Sequence, residues 1–154
     1  MNTVKSKDDT TIAFDRSGEG PVLILVDGAL QHRAIDPSTV QLGSLLAPSF
    51  TVYHYDRRGR GDSGDKLPYA VEREVEDLDA LINEAGGSAF VFGMSSGAVL
   101  ALDAAASGLG ITSSRCTNRR WWSTTADLRC PRTTSLGSPS LRHRAARATR
   151  SRCS

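Results

Sequence analysis

Short apolar runs alternate with longer stretches of helical spacing over the first 112 residues. Val22-Leu23-Ile24-Leu25-Val26 is a continuous apolar run, as expected of a strand that is buried on both faces of a parallel sheet. Alternation over residues 10–15 and apolar, β-branched runs over residues 50–55 and 89–93 predict three more strands. The chain therefore begins with a set of strands that are each bounded by turn residues.

Three segments between or after these strands are predicted to be helices. The apolar positions of residues 69–84 recur at the spacing of one helix face, with acids between them: Val71, Val75, Leu78, Leu81 and Ile82. A weaker helix is predicted over residues 38–46, and an alanine-rich one over residues 98–106. Strands that alternate with helices indicate an α/β fold with a largely parallel sheet and flanking helices.

The most specific motif is Gly93-Met94-Ser95-Ser96-Gly97, between a predicted strand and a predicted helix. A G-x-S-x-G turn needs this context, because the bend is too tight for large side chains at its two glycines. The bend presents the Ser95 hydroxyl above the start of the helix, where free N–H groups favour negative charge. Ser95 is thus a candidate nucleophile and the Ser96 N–H a candidate oxyanion donor. The alternative is a Gly/Ser-rich turn without chemistry.

Two further segments complete a recognisable pattern. Asp27-Gly28-Ala29 ends the long apolar strand, and the loop over residues 56–63, Asp-Arg-Arg-Gly-Arg-Gly-Asp-Ser, ends the next one. With the turn at Ser95, they occur in an order that resembles the α/β-hydrolase superfamily over about residues 10–110. The resemblance implies that the Ala29 N–H completes an oxyanion hole and that the 56–63 loop is chiefly structural. An ordinary strand-ending turn is the alternative for Asp27-Gly28-Ala29.

This chain departs from the family at Asp27, where a histidine is usual. A carboxylate that points at an oxyanion is unfavourable, so we expect Asp27 to face away or to be paired. Arginines among glycines in residues 56–63 also raise the question of phosphate binding, but the segment lacks the Gly-Lys-Ser/Thr end of a P-loop.

The resemblance implies a serine hydrolase that acts on small ester-like substrates through an acyl-enzyme, with no cofactor and no metal. A serine at position 95 disfavours the epoxide hydrolase and haloalkane dehalogenase branches, whose nucleophile is an aspartate. We do not expect this sequence to identify the substrate.

The acid and the base of a catalytic triad are not evident after Ser95. Asp103 lies eight residues on, about two helical turns away, and should point elsewhere. Asp127 and His143 follow, but nothing around His143 resembles a strand end. The two earlier histidines are expected to be solvated or structural: His32 and His54. We therefore predict little or no turnover by the chain as written.

Composition changes sharply after residue 112. Residues 1–112 hold nine Lys/Arg and sixteen Asp/Glu, a balance of −7, whereas residues 113–154 hold ten Arg and one Asp, a balance of +9. The second segment has no Ile, Val, Phe, Tyr or Met, so it offers little apolar surface to offset the entropy of ordering. We predict part of an α/β-hydrolase domain over 1–112 and an unstructured tail over 113–154. The incomplete sheet should expose an edge that favours self-association.

The tail has the composition of a GC-rich gene translated out of frame. Read one base earlier, codons for Trp121-Trp122-Ser123 give an apolar residue followed by V-V, and codons for 115–120 are compatible with V-Y-E-P-P. A frameshift is our leading hypothesis for this segment. The alternatives are a protein that binds nucleic acid or acidic surfaces through its arginines, and a non-catalytic interaction protein. The arginines form no helical stripe and no known binding module, so we expect no specific nucleic-acid partner.

The remaining sequence features bear on location. The segment Met1–Asp9 is polar and has no signal-peptide core, and no apolar run reaches the roughly 20 residues of a membrane span. The three cysteines lack zinc-site spacing and an even count: Cys116, Cys130 and Cys153. We expect a cytoplasmic protein without a membrane partner.

Overall fold

The computed structural model describes residues 1–117 of the chain. In chain order its elements are β1 (Asn2–Lys5), β2 (Thr11–Ser17), β3 (Val22–Val26), α1 (Pro37–Leu46), β4 (Thr51–Tyr55), α2 (Val71–Glu84), β5 (Ala89–Met94), α3 (Ser96–Ala106) and β6 (Ile111–Thr117). The predicted strands and helices between residues 10 and 106 are all present, with ends that differ by at most a few residues.

Within these residues the strands form one sheet in the order β1-β2-β4-β3-β5-β6. Strands β4, β3, β5 and β6 run parallel to one another, and β1 and β2 are antiparallel to their neighbours. The α/β class predicted from the sequence is confirmed. Because β3 lies between β4 and β5, the segments that follow these three strands meet at one edge of the sheet.

Helices cover both faces of the sheet. Leu78, Leu81 and Ile82 of α2 pack with residues of α3 and β5 on one face, and each such buried side chain contributes about 1.5–3 kcal/mol. On the other face α1 packs against Leu25 and Val52. Strand β3 is buried on both faces, which explains why its sequence is continuously apolar.

Two strands were not predicted. Strand β1 is polar and mostly exposed, and it is held by antiparallel pairing with β2, so its sequence carries no apolar signal. Strand β6 extends to Thr117 and pairs with β5, so regular structure continues five residues past the predicted boundary at residue 112. Backbone pairing stabilises β6 although only Ile111 is buried. The rest of the predicted tail, with Asp127 and His143, lies outside the described residues.

Residues 1–117 contain neither a candidate membrane-spanning helix nor a candidate metal-binding cluster. No helix there is both long and apolar enough to span a bilayer. In the same residues, no cluster of three or more His, Cys, Asp or Glu side chains has an arrangement suited to a metal ion.

Candidate active site

Ser95 occupies a sharp reversal between a strand and a helix. Strand β5 ends at Met94, α3 begins at Ser96, and Ser95 between them has φ 53° and ψ −116°. A non-glycine residue in this region costs on the order of 1–3 kcal/mol, and such strain is concentrated at functional sites. The residue is exposed, so the bend presents Ser95 to solvent at the carboxyl end of the parallel strands.

The two glycines of the motif permit this bend to pack closely. A Cβ at Gly93 would lie 2.6 Å from the Cα of Ala98, inside van der Waals contact. A Cβ at Gly97 would collide with the backbone oxygens of Val26 and Asp27. The start of α3 thus lies directly against the end of β3, which brings the turn after β3 beside Ser95.

That turn contains the candidate oxyanion donor. A Cβ built at Gly28 would lie 3.5 Å from the Cβ of Ser95, so the two turns are in contact. The Gly28 N–H donates to Gln31 Oε1 at 2.9 Å, whereas Ala29 is exposed to solvent. The structure therefore places the turn that contains Ala29 against the bend that contains Ser95 and Ser96.

Asp27 is buried and paired, as expected from its unusual place in the motif. Its side chain is 1% exposed, and Oδ2 lies 2.8 Å from Nε2 of the buried His54 on β4. Leu25 pairs in register with His54, so alternation along β3 puts Asp27 on the same face of the sheet as His54. The carboxylate is held toward β4, and His54 has the structural role that the sequence suggested.

Arg57 connects four parts of the site. Its Nε and Nη2 donate to the Glu74 carboxylate on α2 at 2.5 and 2.8 Å. Its Nη1 donates to the Asp27 carbonyl at 3.1 Å and to Ser96 Oγ at 2.9 Å. One guanidinium thus fixes the turn after β3 relative to the start of α3.

The other side chains of the 56–63 loop are engaged as well. Arg58 forms a bidentate pair with Asp77 on α2, with distances of 2.6 and 2.7 Å. Arg60 Nη1 donates to the Gly28 carbonyl at 3.1 Å. Asp56 accepts from Arg33 at 2.9 and 3.0 Å. These bonds give the loop a buttressing role, and its arginines are committed to protein partners rather than to a phosphate.

Burial and ion pairing act in opposite directions on the pKa values of this network. Burial alone would raise the pKa of Glu74, but hydrogen bonds and charge from Arg57 lower it below its ordinary value. The pKa of Asp56 is likewise lowered, because bonds from Arg33 outweigh burial. Burial and the neighbouring charge of Arg57 lower the pKa of Arg60. The carboxylates of Glu74 and Asp56 are therefore ionised in the folded protein near neutral pH.

The described residues do not place an acid and a base at Ser95. Asp103 is exposed on α3, two turns beyond the bend, as predicted. His54 is engaged with Asp27, and the Nδ1 of His32 is buried without a hydrogen-bond partner among residues 1–117. Asp127 and His143 lie outside the described part of the chain.

Sequence reasoning missed the polar contacts that hold the site. Glu74 lies three residues after Val71 and four before Leu78, so its spacing places it on the apolar face of α2, and this signal was missed. Gln31 and Arg60 sit in segments without a periodic pattern. A second signal was the presence of adjacent arginines in a loop expected to be buried, since buried arginines need carboxylate partners.

A parallel sheet with a strained serine between a central strand and a helix defines the class of α/β hydrolases. The model of the alpha/beta hydrolase family matches residues 23–152, and this chain belongs to that family. The match continues through most of the arginine-rich segment.

Individual relatives agree with this assignment. An alpha/beta hydrolase from Sphaerobacter thermophilus DSM 20745 is 63% identical, with a TM-score of 0.71 over 75% of this chain and 44% of that one. The bottromycin epimerase BotH, solved in complex with bottromycin A2, is 31% identical with a TM-score of 0.65, over 75% of this chain and 47% of BotH. The uncharacterized hydrolase YraK of Bacillus subtilis (strain 168) is 34% identical over 96 residues, 60% of this chain and 34% of YraK. The chain thus spans less than half the length of these relatives.

Proposed function

We propose that this chain carries the nucleophile and oxyanion donors of a serine hydrolase for small carboxylic-ester-like substrates. The observation that carries the proposal is the strained, exposed Ser95 between β5 and α3, in contact with the turn that holds Ala29. Membership of the hydrolase family supports the reaction class, and the exposed position supports access by a substrate.

In the proposed reaction, Ser95 Oγ attacks the substrate carbonyl and the alcohol leaves. The N–H groups of Ala29 and Ser96 would stabilise the negative oxygen, an interaction whose loss typically slows catalysis by about 10²–10³-fold. Water then hydrolyses the acyl-enzyme. Both steps need a base to accept a proton and an acid to orient that base.

We propose that the chain as written has little turnover because residues 1–117 place no base and no acid at Ser95. His54 of the sheet is engaged with Asp27, and Asp103 is exposed on α3. An acyl group that reaches Ser95 should therefore stay there, since no group in the described part of the chain is placed to activate the water that would remove it.

An ester that releases a coloured alcohol tests this directly. During incubation with p-nitrophenyl acetate, the bond from Ser95 Oγ to the acetyl carbon forms, p-nitrophenolate leaves, and the hydroxyl proton passes to solvent. We expect peptide mass mapping to find acetyl-Ser95 accumulating slowly, without steady turnover. The adduct should be absent from Ser95→Ala and retained in Ser107→Ala, a control at an exposed serine. Acetylation elsewhere only would refute the nucleophile, and Ser95-dependent turnover would refute the inactivity.

We further propose that residues from about 113 onward arise from a shifted reading frame. The reversal of charge balance and the loss of isoleucine and valine support this. The nucleotide sequence across codons 105–120 tests it: a coherent alternative frame is expected. If no such frame is found, the arginine-rich segment is the true continuation of the protein.

A further inference from the structure

Two arginines hold the two successive carbonyls of the turn after β3. Arg57 Nη1 donates to the Asp27 carbonyl at 3.1 Å, and Arg60 Nη1 donates to the Gly28 carbonyl at 3.1 Å. Both arginines come from the loop after β4. The orientation of each peptide group in the turn is therefore set from a neighbouring strand.

A trans peptide group is planar, so its N–H points opposite to its C=O. The peptide between Asp27 and Gly28 is fixed at both ends, because its carbonyl is held by Arg57 and its N–H donates to Gln31. The side-chain amide of Gln31 is itself anchored by donation to Asp36. This peptide has no donor left for a ligand.

The next peptide, between Gly28 and Ala29, is fixed at its carbonyl end. Besides the bond from Arg60, the Gly28 carbonyl accepts only a longer turn bond from the Gln31 N–H, at 3.4 Å, among the described residues. A charged donor makes the stronger of the two bonds. The N–H of Ala29 then points away from Arg60, and no acceptor in residues 1–117 uses it.

We propose that Arg60 is a positioning residue for the oxyanion hole, because its bond to the Gly28 carbonyl keeps the Ala29 N–H available beside Ser95. If this peptide flips, the carbonyl oxygen takes the place of the N–H and opposes negative charge there. The inference rests on the proposed role of Ala29, but the orientation of the peptide can be measured without any reaction.

The sequence offers an unusually selective probe of that orientation. Gly-Ala occurs only at Gly28-Ala29 and Gly97-Ala98. Labelling glycine with ¹³C at the carbonyl and alanine with ¹⁵N therefore leaves two signals in a carbonyl-selected NMR spectrum of the whole 154-residue chain. The Ala98 N–H donates to the Ser95 carbonyl at 3.0 Å, so its signal reports whether the bend at Ser95 is intact.

We expect Arg60→Met to shift and broaden the Ala29 signal, or to split it, while the Ala98 signal stays unchanged. Arg60→Lys, which keeps a charged donor, should give a single sharp Ala29 signal near its position in the unchanged protein. Arg73→Met should alter neither signal, since among residues 1–117 the Arg73 side chain bonds to Glu76 of α2 and not to the turn after β3. An unchanged Ala29 signal in Arg60→Met would overturn the proposal, and so would equal changes in both signals. Neither result depends on whether Ser95 reacts with esters.

Discussion

Ser95 adopts a backbone conformation that the residues around it make possible. Gly97 lets α3 approach the end of β3, and Gly93 lets β5 approach Ala98 of α3, more closely than any side chain would allow. The strain at Ser95 is tolerated because the surrounding backbone is fixed by the sheet and by the helix. The bend therefore requires glycine at positions 93 and 97 as well as the serine at position 95.

Adding a methyl group at Gly97 should be far more damaging than adding one at Gly43. The new Cβ at Gly97 would overlap two backbone oxygens, and we expect a loss of about 3 kcal/mol or more, as for severe overpacking. Gly43→Ala places its Cβ 3.7 Å from Val52 Cγ1, an ordinary contact within α1, and should stabilise by about 0.5–1 kcal/mol. Urea unfolding of both variants measures the difference; equal effects would contradict the close approach described above.

The residues of the bend were predictable because their chemistry is local. A G-x-S-x-G pattern between an apolar run and a helix former identifies Ser95 from adjacent positions alone. The partner of Asp27 was not predictable, since His54 is 27 residues away in the chain and reaches Asp27 through the pairing of β3 with β4. Ala29 was identified through the family resemblance, and its role in the hole remains a prediction.

At the scale of whole elements, α2 stabilises the site without contributing to its surface. Glu74 and Asp77 lie one turn apart on α2 and bind Arg57 and Arg58 respectively. Through Arg57 the helix is connected to Asp27 and to Ser96. The amphipathic pattern of α2 predicted its apolar face, but it did not reveal that two of its acids are buried.

Removing Arg57 should cost much more than removing Arg73, an arginine that forms a more exposed ion pair on α2. Arg57→Met leaves Glu74, which is 3% exposed, without its cation, and breaking such a buried pair costs about 3–5 kcal/mol. Arg73→Met breaks an exposed pair with Glu76 and should cost less than about 1 kcal/mol. Chemical denaturation measures the free energy of unfolding of both variants. A small decrease for Arg57→Met would mean that water replaces the guanidinium.

Strands with an apolar signal were predicted, and strands without one were missed. Strand β3 is buried on both faces and is visible in the sequence as an unbroken run. Strands β1 and β6 are stabilised by backbone bonds to a neighbour, which leave no trace in side-chain pattern. Strand β6 therefore spans the change of composition after residue 112 without a break in its pairing with β5.

For the molecule as a whole, the described residues form one sheet. The candidate site lies at the carboxyl end of its parallel strands, and β6 is the outermost strand on one side. Ser95 donates its N–H to the Thr117 carbonyl at 2.8 Å, so the backbone of Thr117 faces β5. Alternation along a strand then turns the backbone of Ser114 outward. Outward N–H and C=O groups on an edge strand can pair with another chain.

We expect the chain to self-associate through this edge, and Ser114→Pro to weaken the association. Proline removes the outward donor at Ser114 and leaves the bonds of β6 to β5 in place. Ser113→Pro removes a donor that faces β5 and should instead destabilise the fold. Sedimentation velocity and thermal unfolding separate the two effects. Association that is unaffected by Ser114→Pro would place the contact elsewhere.

The most direct test of the central claim is whether Ser95 reacts when a base is supplied from solution. With a fluorophosphonate probe, we predict slow modification of Ser95 whose rate rises in proportion to added imidazole, because imidazole supplies the general base that residues 1–117 do not place at Ser95. Ser107 should show no comparable dependence. Modification of Ser95 no faster than that of Ser107 at any imidazole concentration would contradict the account.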